Sequence, residues 1–202
     1  CLGVKGDLAK DGMSATNYWV FDHYDTEALY SSLRKDPDAM PQGAYITSAS
    51  MKDPSSNAHA PEGISTVEVM TLLPGTPEHW GISDEEFKDG SYRKKSVYME
   101  RKQRLEDQMV GRMDTLFPGT AERIVFQESA TPLSHMRYTR ASSGSGYGLA
   151  ATPGQFALAR PHTKIGPKGL YIAGASARSW HGVMAAIRSG RTTALELGRD
   201  LA

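Results

Sequence analysis

Gly169-Leu170-Tyr171-Ile172-Ala173-Gly174 is a short apolar run closed by a glycine, and Trp180-His181-Gly182-Val183 opens a helix-like pattern six residues later. The run has the make-up of a buried parallel strand whose last residue lets another group approach the backbone closely. Beyond it, Val183, Ile187, Leu195 and Leu197 fall near one side of a helix, and Gly190 with Thr192-Thr193 lowers the propensity without ending it. A helix that begins just past the carboxyl end of a buried strand points unpaired N–H groups and a partial positive charge into the crevice of the sheet. Such a place holds an anion or an electron-rich carbonyl.

Residues 1–130 read as an α+β region. Asn17 to Phe21 is rich in aromatic and β-branched residues and predicts a strand, and Asp25 is placed to cap a helix to about Lys35, stopped by Asp36-Pro37. Gly43 to Ser50 predicts a second strand, 51–63 a loop, and Ser65 to Leu73 a third strand with one apolar and one wet face. Ser83 and Glu86 have capping-box spacing. A long helix is expected from about Ser91 to Leu116, with Leu105, Met109, Met113, Leu116 and Phe117 as its apolar stripe. Ile124-Val125-Phe126 predicts a strand, and Thr131-Pro132 a helical turn or helix through Tyr138.

Composition narrows the function classes. The 202 residues carry 23 Lys plus Arg against 23 Asp plus Glu, a balance that gives no reason to expect nucleic acid as a partner. No apolar run reaches the length of a bilayer span and no signal-peptide pattern opens the chain, so a cytoplasmic address is expected. The single Cys1 excludes a disulfide framework within the chain. The six histidines are scattered without ligand spacing, so no metal site is expected. Ser176 follows the apolar run as a hydrolase nucleophile would, but Arg178 stands where that motif needs glycine.

Three blocks in order carry a family resemblance. They are Thr131-Pro132-Leu133-Ser134-His135-Met136-Arg137-Tyr138; then Gly144-Ser145-Gly146-Tyr147-Gly148; then the run 169–176 with Trp180-His181-Gly182-Val183-Met184-Ala185-Ala186 and Ser189-Gly190-Arg191. The last resembles the C-terminal flavin signature of the phytoene desaturase and retinol saturase group of FAD-dependent oxidoreductases, and the first two resemble the segments that precede it. The resemblance implies hydride transfer between flavin N5 and a carbon–carbon bond of an apolar polyene or isoprenoid substrate. It also implies that the chain is the C-terminal portion of a longer flavoprotein, because the family's N-terminal Gly-x-Gly-x-x-Gly turn is not found here. Residues 1–130 would then form a substrate-side region with a mixed, largely antiparallel sheet. Residues 131–202 would supply the C-terminal strand and helix of the FAD-binding α/β, Rossmann-like domain, whose missing N-terminal half is the implied partner.

In that reading Gly174 and Ala175 meet the ribityl and phosphate side of the flavin, and the N–H groups near Gly182, Val183 and Met184 face its pyrimidine edge. Many relatives have an acidic side chain just after the glycine. Here it is Ala175, so any contact there comes from backbone. His181 touches the flavin, gates the substrate mouth, or is a cap residue at the surface; Trp180 stacks near the cofactor or fills a seam between domains. Tyr138 and Tyr147 line the substrate cavity or pack in a core. Arg137, Arg140, Arg160, His162, Lys164 and Lys168 pair with phosphate, with the missing half, or with water alone. Taken by pattern alone, the terminal segment better fits a plain strand, loop and core helix, as in a flavin-free interaction or scaffold domain, and only the resemblance reverses that order. The chemistry leaves open peripheral association of the parent protein with a membrane.

Overall fold

Alternation along the strands sorts the first part of the chain into a covered and an open sheet face. The computed structural model describes residues 1–36 and 38–202, so Pro37, half of the expected helix stop, lies outside the described residues. By packing, the chain divides after Gly144 into two compact units, Cys1–Gly144 and Ser145–Ala202.

The first unit is α+β. Strands β1 (Leu2–Lys5), β2 (Tyr18–Phe21), β3 (Gly43–Thr47), β4 (Ile64–Met70) and β5 (Ile124–Gln127) form a five-stranded sheet in the order β2-β3-β4-β1-β5. All of these pairings are antiparallel, with Leu2 opposite Val67 and Ile46 between Tyr18 and Val69. Its helices are α1 (Thr26–Lys35), α2 (Ala49–Lys52), α3 (Asp84–Asp89), α4 (Ser96–Leu116) and α5 (Pro132–Thr139). Leu2, Val4, Ala44, Ile46 and Val67 form one apolar layer with Met113 and Phe117. On the opposite face Trp19 lies edge-on to Tyr45 at 4.8 Å and stacks on Phe21 at 6.3 Å, with Trp19 left largely exposed.

Local chemistry fixes the helix ends. Asp25 Oδ1 accepts the Ala28 N–H at 3.0 Å, and the Ser83–Glu86 capping box forms with both of its hydrogen bonds. Thr131 and Ser134 make a second box at the start of α5. The helix expected from Ser91 starts later. Ser91–Lys94 is a 3-10 turn, and Lys95 is extended at ψ 133° before α4 begins. That break brings Tyr92 and Tyr98 edge to face at 5.0 Å in a second core with Trp80, Ile82, Leu105 and Leu133. Residues six apart on a straight helix would point about 120° away from each other. The strand expected to Ser50 also stops early, because the Ser48 hydroxyl accepts the Met51 N–H at 3.2 Å and starts α2.

In the second unit the expected buried strand at 169–174 does not form. Tyr171 makes a single antiparallel bridge to Lys164, the Ile172 N–H donates to Thr163 O at 2.8 Å, and Leu170 is half exposed. A parallel strand needs neighbours delivered by crossover connections. Among the described residues the backbone of this run instead bonds to the segment just upstream, so it folds back as a hairpin-like loop. The expected helix does form as α6 (Val183–Leu201). Its packed side is polar: Ser189 is buried, and the Thr193 hydroxyl donates to Ile172 O at 3.1 Å. Val183, Met184, Ile187, Leu195 and Leu201 stand exposed.

Candidate functional site

The loop from Gly174 to Gly182 delivers the chain to the start of α6, and its shape is imposed by backbone conformations that ordinary residues avoid. Gly174 has φ 104° and Gly182 φ 93°, and a Cβ built on either would meet nothing within 4 Å. The glycines are therefore needed for their dihedrals, and both face open space. The Gly174 N–H donates to the buried Ser189 Oγ at 3.0 Å, which ties the loop to the helix it precedes. Gly148 serves in another way. A Cβ there would lie 2.7 Å from Ala175 C and from Ser176 N, so the glycine lets two backbones touch.

Beneath the loop lies Arg160, of which 1% is exposed. Its Nη2 donates to Ala175 O at 2.7 Å, its Nε to Ala177 O at 3.2 Å, and its Nη1 to Leu149 O at 3.0 Å and Gln155 O at 3.3 Å. The guanidinium carbon sits 4.4 Å from the Trp180 ring centroid. A basic residue that could have been read as solvated surface is in fact buried, satisfied by carbonyls and a ring face. Trp180 itself has φ 79°. Its ring meets Phe156 at 5.1 Å and His181 at 4.9 Å, and His181 meets Tyr147 at 4.7 Å, a row of four rings leading to the helix entrance.

Among the described residues no side chain caps α6. Gly182 O accepts the Ala186 N–H at 2.9 Å, while Gly182, Val183 and Met184 are all exposed. The partial positive charge of a 19-residue helix thus meets open space at this end. At the other end Asp200 accepts hydrogen bonds from Lys164 Nζ at 2.6 Å and from the Tyr171 hydroxyl. Lys164 holds the Asp200 carboxyl below the usual carboxylate range, with Tyr171 adding to the effect, and the same hydrogen bonds push the lysine and the phenol upward.

Of the residues picked from sequence, Gly174, Ala175, His181, Gly182, Val183, Met184 and Tyr147 all lie in the second unit, on the loop, at the helix entrance, or in the row of rings. Tyr138 belongs to α5 in the first unit and is exposed, with the Arg137 guanidinium 6.0 Å from its ring. Of the basic set, Lys164 pairs with Asp200, and His162 Nε2 lies 3.5 Å from Glu196. Sequence reading missed the roles of Arg160, Ser189 and Gly148. Ser189 and Gly148 sit inside quoted blocks, but nothing in the pattern around Arg160 distinguishes it from a surface arginine.

Uncapped amides beside two glycines with open Cβ directions suit the electron-rich edge of a planar ring, so the residues present fit the pyrimidine side of a flavin. Among the described residues no group of three or more His, Cys, Asp or Glu could hold a metal ion. Among them, too, no helix is long and apolar enough to cross a membrane.

No family model matches the chain. It is 28% identical over 165 residues to prolycopene isomerase 1, chloroplastic, of an Oncidium hybrid cultivar, covering 80% of this chain and 25% of that protein. Against prolycopene isomerase, chloroplastic, of Daucus carota it is 27% identical over 203 residues, 99% of this chain and 29% of the other. Against the all-trans-retinol 13,14-reductase of Danio rerio it is 25% identical over 183 residues, 86% of this chain and 29% of the other. The chain therefore spans between 25% and 29% of the length of these curated relatives. The similarity is weak but consistent, and it supports the resemblance to the phytoene desaturase and retinol saturase group read from the motifs.

Proposed function

We propose that this chain is the C-terminal portion of an FAD-dependent oxidoreductase that acts on a carbon–carbon bond of an apolar polyene or isoprenoid substrate. The observation that carries the reading is the uncapped, exposed start of α6, next to Gly174 and Gly182. Relatives named for a carotenoid isomerisation and a retinol reduction support the chemical class.

In this reading the amides of Gly182, Val183 and Met184 hold the pyrimidine edge, and Gly174 and Ala175 meet the ribityl and phosphate side through their backbone. When bound, the flavin supplies hydride transfer at N5. The helix N-terminus stabilises negative charge that gathers on the ring edge, with its dipoles already oriented before the reaction starts. Tyr147 and His181 form a ring pair, 4.7 Å apart, beside that edge. The parent protein supplies the half that grips the adenosine, so the chain alone holds FAD weakly.

Reconstitution of the full-length protein with FAD tests the proposal. Bound yellow flavin, lost when Gly174 or Gly182 is replaced by leucine, is the expected result. A protein that purifies colourless and takes up no flavin would overturn it and leave a flavin-free interaction domain.

A further inference from the structure

We infer that Arg160 is the positioning residue of the α6 entrance: its buried guanidinium holds the backbone of Ala175 and Ala177 and the face of Trp180 in the arrangement that leaves the helix mouth open. The inference draws on the flavin reading only for what the mouth receives.

Arg160 gathers three segments of the second unit. Leu149 and Gln155 come from upstream, Ala175 and Ala177 from the loop, and each gives it a carbonyl. None of these contacts is a carboxylate, so the charge is satisfied by dipoles and by the Trp180 ring at 4.4 Å. A planar fork of five N–H donors can reach carbonyls spread around it, whereas a lysine ammonium offers donors from one point.

The need for such a hold is visible in the loop. Trp180 at φ 79° occupies a region that a bulky residue leaves unless its surroundings over-determine it. Two residues on, Gly182 is at φ 93°. With the guanidinium gone, Trp180 relaxes to negative φ, His181 and the Tyr147 ring tilted against it at 4.7 Å follow, and the chain enters α6 from another direction. Arg160 thus acts on the mouth through Trp180 and the loop carbonyls, without touching whatever binds there.

The test compares the wild-type chain with Arg160→Lys and Arg160→Ala by the indole N–H resonances of its tryptophans, Trp180 being assigned from Trp180→Phe. Trp19 and Trp80, in the first unit, report whether that unit stays folded. In both variants the Trp180 signal should move while Trp19 and Trp80 do not, with α6 amides still protected from exchange. Low, sub-denaturing guanidinium should return the Trp180 signal in Arg160→Ala. A wild-type Trp180 signal in either variant, no rescue by guanidinium, or loss of α6 protection in both variants would overturn the inference, the last by making Arg160 a general stabiliser. FAD titration of the full-length protein carrying each change, read by flavin fluorescence, should show binding weakened about tenfold, the scale of losing a supporting residue rather than a contact; unchanged affinity counts against the inference. Failure of the wild-type chain and the full-length protein to bind FAD sinks the flavin reading alone, since the Trp180 signals still decide the role of Arg160.

Discussion

Ser189 Oγ accepts the Gly174 N–H at 3.0 Å, joining a glycine at the head of the loop to the buried side of the helix that follows. Ser189→Ala leaves that amide without its acceptor. The expected cost is about 1–3 kcal/mol, seen as a lower denaturation midpoint together with faster hydrogen exchange at Gly174. Unchanged exchange at Gly174 would show that the bond does not hold the loop.

Gly148 and Gly146 separate close approach from flexibility. Gly148→Ala drives a methyl onto the backbone of Ala175 and Ser176 at 2.7 Å, whereas a Cβ at Gly146 meets nothing within 4 Å. The first change should destabilise the second unit by roughly 1–3 kcal/mol, and the second should fall within about 0.5 kcal/mol of wild type. Thermal melts of the two variants side by side decide it, and equal melting temperatures would refute the packing role.

Gly75 makes the same kind of contact inside the first unit. A Cβ there would sit 1.6 Å from Ser143 O. Gly75→Ala should therefore lift the segment around 142–144 away from its seat. Limited proteolysis should cut that segment sooner in the variant, while Trp80 fluorescence stays native.

The Lys164–Asp200–Tyr171 cluster gives the last turn of α6 a pH dependence with a definite sign. The Asp200 carboxyl is depressed by its hydrogen bonds from Lys164 and Tyr171. Its contribution is fully present above the ordinary carboxylate value and is lost as pH falls through the depressed one. Lys164 is raised, so its contribution is present below the ordinary lysine range and is lost as pH climbs through the raised value. Asp200 is exposed, which keeps the effect small. Amide exchange at Leu201 should rise on the acid side in wild type and show no such acid step in Asp200→Asn.

Much of the first unit was legible because its signals are local. Asp25, Ser83 with Glu86, and Thr131 announce helix starts through side chains that bond their own backbone, and Thr66, Glu68 and Val67 announce a two-faced strand by alternation. β1 went unread because Leu2–Lys5 is four residues long and contains a glycine, although its Leu2 and Val4 end up in the core between β4 and β5. The C-terminal loop was read wrongly as a strand because an apolar run specifies burial and not its partner. In the structure that partner is the chain just upstream, at Thr163 and Lys164. The residues proposed at the α6 entrance were picked by motif. The hold of Arg160 on the loop was not legible, because it consists of four carbonyls from separate positions, and no local spacing encodes those.

α6 hides its hydroxyls and shows its hydrocarbon: Val183, Met184, Ile187 and Leu201 all stand in water. A greasy ridge of this kind recruits amphiphiles without any loss of structure. A naphthalene sulfonate dye should therefore brighten on the folded protein, and ammonium sulfate should salt it out with its fold intact.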